Sequence, residues 1–125
     1  MNETTALDSA ALERLCRLGG DSFASEMIQL FLSYSQQKIA EAREAQASGN
    51  AGALSKAVHP IKSSAGNVGS RRVQELATQI EKLANEGQCE TLAGLVKDLE
   101  EAFAAAKREL EGKKQTLGVK SPSEA

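Results

Sequence analysis

Tryptophan is absent from this 125-residue sequence, which has only one Tyr, three Phe, one His, two Cys and two Pro. With so few rings, the core must be built from Leu, Ile, Val and Ala, and the scarcity of aromatic and β-branched residues argues against a sheet. No stretch approaches the ~18 consecutive apolar residues of a membrane span. The start, Met1-Asn2-Glu3-Thr4-Thr5, lacks the basic and then apolar profile of a signal peptide. There is no positive excess either. The formal charge is -2 with Lys and Arg scattered, which argues against a nucleic-acid binder that relies on phosphate neutralisation. Cys16 and Cys89 lie far apart with no C-x-x-C or H-x-x-x-H motif, so a zinc site is excluded. A cytoplasmic chain with reduced thiols is expected, and this length leaves room for one domain.

What is present is helical. Ala, Leu, Glu, Lys and Gln are abundant. Asp8 is placed to cap a short first helix ending near Leu18, where Gly19-Gly20 breaks the pattern. Asp21 begins a second helix running to about Ser48, with Phe23, Met27, Leu30, Phe31, Tyr34 and Ile39 on one face. After Gly49, Asn50 caps a third, whose stripe Leu54, Val58, Ile61, Ala65 and Val68 alternates steps of four and three, a bundle seam. Ser70 follows as the next cap, and Val73, Leu76, Ala77, Ile80, Leu83 and Ala84 stripe a fourth helix. Leu92, Leu95, Val96, Leu99, Phe103, Ala106 and Leu110 stripe the last, ending near Gly112. The reading is all-α: an up-down-up-down four-helix bundle with a short extra N-terminal helix. It divides into a leader over 1–7, the bundle over 8–112 and a disordered polar tail over 113–125.

The single imidazole, His59, lies about 100° around the third helix from the seam residue Val58, so it flanks the core instead of filling it. Its own face carries Ser55, Lys56, Lys62, Ser63 and Gly66. Small side chains there leave a shallow accessible surface, and a cation one turn on suits an anion held on the ring. A Ser-His-Asp reading lacks a nucleophile turn and an oxyanion hole. An exposed neutral imidazole is itself a nucleophile toward an activated phosphoryl group, and that chemistry needs access, the right tautomer and a nearby cation.

The segment Ala57-Val58-His59-Pro60-Ile61-Lys62-Ser63-Ser64-Ala65-Gly66-Asn67-Val68-Gly69 resembles the signature of histidine-containing phosphotransfer (HPt) domains. That pattern is roughly A-H-x-L-K-[GS]-[SA] followed by a hydrophobic-Gly turn. The similarity extends through Leu76 and Ile80-Glu81, and more loosely to the Phe31-Leu32 helix. The resemblance implies that His59 is the phosphoacceptor, that Lys62 lies near the phosphoryl group, and that Ser63 is the small residue admitting a partner. Gly69 matches the turn glycine. Glu81 matches a position on the facing helix that hydrogen-bonds the imidazole. Bundle geometry gives a related result: a turn at 68–69 sets His59 level with 78–79, with Glu81 within a turn and Gln79 a competing candidate.

Pro60 departs from the pattern, because an interior proline removes a backbone hydrogen bond and costs ~3 kcal/mol or more. Either the helix bends there, or it restarts with Pro60 as its first residue. The unbroken Leu54-Val58-Ile61-Ala65 stripe favours a kinked continuous helix.

The resemblance implies a monomeric phosphocarrier with no cofactor and no ATP site of its own, hence not an enzyme in its own right. It would pass a phosphoryl group between response-regulator receiver domains, supplied by a hybrid sensor kinase, with Mg²⁺ held by the receiver. Docking is expected around Ser55, Lys56, His59, Lys62, Ser63 and Gly66, edged by Gln36, Gln37 and Ala40 of the second helix. Large substitutions at Ser63 or Gly66 should block transfer without unfolding the bundle. The alternative is a helical scaffold or kinase-binding inhibitor that uses the same face without phosphotransfer.

Overall fold

The computed structural model describes residues 7–124, apart from the side chains of Glu90 and of residues 118–124. Four helices follow in order: α1 (Ser9–Ala47), α2 (Ala51–Asn67), α3 (Arg71–Asn85) and α4 (Ala93–Glu124), the last preceded by a single 3-10 turn, Glu90–Leu92. Each helix packs on its neighbours in sequence, and α4 closes the ring against α1. Short connections and this cyclic order give the expected up-down-up-down bundle.

The extra N-terminal helix is the first part of α1. At Gly20 the backbone leaves helical geometry (φ 88°, ψ 179°), a conformation open essentially only to glycine, so the chain breaks there and resumes as the long part of α1. Asp8 caps the start, its Oδ1 accepting from the Ala10 amide at 3.1 Å. The Asp8 amide donates to the Gly69 carbonyl at 2.8 Å, which ties the entry of α1 to the α2–α3 turn. Asn50 caps α2 as expected, accepting from the Ala53 amide at 3.0 Å. Ser70 does not cap α3, since its side chain makes no capping bond, and the residue is buried in the turn.

The core follows the apolar stripes. Leu54, Val58, Ile61 and Ala65 of α2, with Val68 in the turn that follows, meet Val73, Leu76, Ala77 and Ile80 of α3, all buried. Leu92, Val96, Leu99, Phe103, Ala106 and Leu110 complete it from the α4 side. Phe31 and Phe103 meet edge-to-face with centroids 5.8 Å apart.

Two expectations need correction. The face assigned to the long part of α1 is turned too far: Leu30 and Tyr34 are exposed, while Ala24, Ile28, Leu32, Ser35, Ala42 and Ala45 join Phe31 and Ile39 inside. Ala and Ser at those positions carry little hydrophobic signal, whereas Leu30 and Tyr34 carry much, so a stripe read from the sequence drifts toward them. The polar tail is also helical: α4 continues past Gly112 to Glu124, with Leu117 packed on the core and Lys114 Nζ bonded to Gln29 Oε1 at 2.8 Å. Ala125 and residues 1–6 of the expected leader lie outside the described residues, and Leu7 packs against the core.

Candidate functional site

Pro60 leaves α2 undivided. The helix runs from Ala51 to Asn67 with the proline inside, so His59 is a mid-helix residue as the stripe implied. Proline has no N–H, so the Lys56 carbonyl lacks its helical amide partner. The Pro60 carbonyl one turn on accepts from Ser64 Oγ at 3.0 Å.

The turn between α2 and α3 sets what His59 faces. Three cross-helix contacts are symmetric about Ser70. Ser55 Oγ donates to Asn85 Oδ1 at 2.7 Å, His59 Nδ1 meets Glu81 Oε2 at 2.6 Å, and a Cβ on Gly66 would lie 2.5 Å from Gln74 Nε2. The pivot is therefore Ser70 and not 68–69, because the chain spends Val68 and Gly69 on the turn before α3 begins. That displacement selects Glu81. Gln79, two residues earlier and about 200° around the helix, is exposed and takes no part.

Gly69 makes this turn possible. Its φ of +81° is strained for any side chain, and an added Cβ would lie 2.6 Å from the Asp8 carbonyl oxygen.

At the centre is a three-residue cluster. Glu81 Oε2 pairs with His59 Nδ1, and Glu81 Oε1 pairs with Lys62 Nζ at 2.5 Å. The Glu81 side chain is only 14% exposed. Burial pushes its carboxyl upward, but the hydrogen bond from Lys62, that from His59 and the charge on both outweigh it, holding the group below the ordinary carboxylate value of 4.5. An ionised carboxylate only accepts, so Nδ1 must carry the proton. In the neutral form of the ring, the lone pair is then on Nε2. The imidazole is 67% exposed, and among the described residues Nε2 has no hydrogen-bond partner. The arrangement is a fixed tautomer presenting a nucleophilic nitrogen to solvent.

The Hpt domain family matches residues 26–112, well over half of the sequence. The chain belongs to the Hpt domain family. Histidine-containing phosphotransfer protein B (HptB) from Pseudomonas aeruginosa PAO1 has a similar fold. Its crystal structure superposes with a TM-score of 0.83 at 21% identity, over 88% of this chain and 95% of that one. No curated protein matches the sequence. Membership places this Hpt domain among the phosphotransfer proteins of phosphorelays.

The remaining predicted residues divide into two groups. Lys56 and Ser63 of the Hpt domain are exposed on the open side of α2 beside His59, with Asn67 continuing the strip. Ser55 is instead held in the α2–α3 contact by Asn85, and Gly66 is the gap into which the Gln74 amide fits. These two belong to helix packing, not to an open floor.

On α1, Gln36, Gln37 and Ala40 are exposed as expected, but Gln36 and Ala40 do not face α2. Gln29 bonds Lys114 of α4 and Arg43 pairs with Glu100 of α4 at 3.2 Å. Gln36 lies midway in that seven-residue row, so it turns toward α4, with Ala40 beside it. The α1 residues bordering α2 are Met27, Leu30, Phe31 and Tyr34, which line a groove with Ser64, Asn67 and Val68. Leu30 is 61% and Tyr34 43% exposed. Sequence reasoning places both in the core. The usable signal is their spacing of four on a helix whose other stripe, Ala24-Ile28-Phe31-Ser35, is complete without them.

Among the described residues, no group of three His, Cys, Asp or Glu side chains is placed to hold a metal. No helix there is long and apolar enough to cross a membrane.

Proposed function

We propose that this protein carries a phosphoryl group on Nε2 of His59 between response-regulator receiver domains of a phosphorelay, the first of them charged by a hybrid sensor kinase. The observation that supports this best is the exposed imidazole whose Nδ1 proton is held by Glu81, leaving Nε2 as the free nucleophile.

In the transfer, the Nε2 lone pair attacks phosphorus of a receiver aspartyl phosphate. The P–O bond breaks, and its electron pair leaves on the aspartate carboxylate. Nδ1 keeps its proton, so the product ring is an imidazolium bearing the phosphoryl group. Onward transfer reverses these steps with a second receiver. The receiver holds the Mg²⁺ that offsets charge on the transferring oxygens, and this chain contributes Lys62. The carrier needs no cofactor or ATP site of its own, and a cytoplasmic monomer suits the role.

Docking uses the open strip of α2 at Lys56, His59, Ser63 and Asn67. The apolar edge of α1 at Leu30 and Tyr34 adds a contact that excludes water beside the reacting nitrogen. Phosphorylated receiver domain mixed with the wild-type protein and with His59→Gln tests the reading. Label should reach the wild type and not the variant. A scaffold or inhibitor would bind the partner equally well in both forms and take up no acid-labile phosphate.

A further inference from the structure

Serine and threonine hydroxyls on a helix can turn back to the carbonyl four residues earlier. Ser48, Ser64, Thr78 and Thr116 all do so here, at 2.8–3.1 Å. Ser55 does not. Its Oγ crosses to Asn85 Oδ1 on α3, 2.7 Å away. The Asn85 end is firmly placed, because the amides of Glu86, Gly87 and Gln88 bond back to the Lys82, Leu83 and Ala84 carbonyls and close the last turn of α3. Ser55 lies four residues before His59, and Asn85 four after Glu81, so the two cross-helix bonds stand in one row, a turn apart. The next contact of that row, Gly66 with Gln74, lies beyond Pro60. Among the described residues, Ser55–Asn85 is therefore the one side-chain hydrogen bond that joins α2 to α3 on the His59 side of the proline, besides the His59–Glu81 contact itself.

Pro60 gives this bond its task. Without an amide for the Lys56 carbonyl, and with its ring pressed on that carbonyl, the proline joins residues 51–59 to the rest of α2 less tightly than an unbroken helix would. Leu54 and Val58 hold that half in the core. Apolar contacts are non-directional, however, and leave it free to roll about the seam. The imidazole stands well off the seam, so a small roll carries Nδ1 away from Glu81, and a hydrogen bond weakens steeply as its geometry departs from the ideal. We infer that Ser55 and Asn85 are positioning residues for His59: their bond pins the half of α2 before the proline in the roll at which Nδ1 meets Glu81.

The use of this clamp rests on the phosphocarrier reading. Neither side chain touches the reacting atoms, and both act through the ring. While the ring faces Glu81, the proton stays on Nδ1 and the Nε2 lone pair is available to phosphorus. Once the contact loosens, the neutral ring also populates the other tautomer, in which Nε2 carries the proton and cannot attack. Ser55 thus serves the transfer from inside the α2–α3 contact, a turn away from the imidazole and off the open strip that a receiver meets.

The test is ¹⁵N NMR of the single imidazole in the labelled full chain, at a pH where the ring is neutral, so that the two tautomers are read directly and without a partner. Wild type should show the Nδ1–H tautomer alone. Ser55→Ala and Asn85→Ala should each move the ring toward a mixture of the two tautomers and slow transfer from a phosphorylated receiver about three- to tenfold, as loss of one hydrogen bond implies. Pro60→Ala restores the helical amide, so it should keep the wild-type tautomer and cancel the effect of Ser55→Ala on it. A purely structural bond would give the same shift with and without the proline. An unchanged tautomer in both single variants, or an equal shift from Ser55→Ala in the two backgrounds, overturns the inference and leaves the phosphocarrier reading intact. A wild type fixed in the Nδ1–H tautomer that takes up no phosphoryl group overturns that reading and leaves the hold of Ser55 and Asn85 on the ring to stand or fall by the tautomer shifts.

Discussion

His59 on α2 donates its Nδ1 proton to Glu81 Oε2 on α3, 2.6 Å away and twenty-two residues later in the chain. The bond decides which ring nitrogen carries the lone pair, and the turn around Ser70 decides that Glu81 is the partner. A surface histidine is thereby held in one tautomer by a carboxylate that Lys62 keeps ionised.

Removing that carboxylate should slow phosphotransfer without abolishing it. A hydrogen bond to a charged group contributes about 1.5–3 kcal/mol, so Glu81→Ala should lower the rate of transfer from a phosphorylated receiver by about 10- to 100-fold. Glu81→Gln retains an acceptor and should lose less. Stopped-flow transfer kinetics measure both, and an unchanged rate in Glu81→Ala would remove Glu81 from the mechanism.

The same cluster predicts a pH dependence of stability. The Glu81 carboxyl is held below its ordinary value of 4.5 in the folded protein. A depressed folded value means that the stabilisation is present above the unfolded value and is lost as pH falls through the folded one. Wild type should therefore be more stable than Glu81→Gln above about pH 5, with the gap closing as the pH drops below the ordinary carboxylate range. Thermal unfolding of both forms across this range reads the difference.

Gly69 should tolerate no side chain. Its φ is +81°, and an added Cβ would meet the Asp8 carbonyl oxygen at 2.6 Å. Gly69→Ala should destabilise the bundle by more than ~1 kcal/mol, measured by chemical denaturation. Pulling the turn away from Asp8 also disturbs the Asp8 amide bond to Gly69, so protection of that amide from hydrogen exchange should fall as well.

The helix order, the seam of α2 and the candidate phosphoacceptor are legible in the sequence because Leu54-Val58-Ile61-Ala65-Val68 and a lone His are strong, local signals. Pairing across helices is less legible. Choosing Glu81 over Gln79 depends on how many residues the α2–α3 turn consumes, and one or two residues there rotate the facing helix by 100–200°. The outer edge of α1 misleads because large apolar residues dominate a periodicity count even when Ala and Ser fill the core positions. Pro60 is readable through its neighbours, whose stripe passes it unbroken. The helical course of 113–117 is hidden because polar residues that lean on a bundle leave no apolar stripe.

The docking edge separates two faces of α1. Tyr34→Ala and Leu30→Ser should weaken transfer from a receiver several-fold with little effect on thermal stability, as both side chains are exposed. Gln36→Ala should change neither, because that position turns toward α4. Titrating receiver concentration against transfer rate for the three variants distinguishes the faces, and an effect at Gln36 equal to that at Tyr34 would move the docking site.

Ser63 and Gly66 should behave differently from each other. Ser63→Arg should block transfer while leaving unfolding unchanged, since Ser63 is exposed beside His59. Gly66→Ala displaces the Gln74 amide, so it should perturb α2–α3 packing, and Gln74→Ala should relieve it. A double-mutant cycle on thermal stability reads this coupling.

The central claim is that His59 Nε2 carries the phosphoryl group. The most direct measurement is ³¹P NMR of the isotopically labelled protein after reaction with a phosphorylated receiver domain, reading the P–N coupling to the imidazole. The predicted result is a single phosphohistidine on Nε2, discharged when a second receiver is added and absent in His59→Gln. Phosphate on Nδ1, on another residue, or equally on His59→Gln would contradict it.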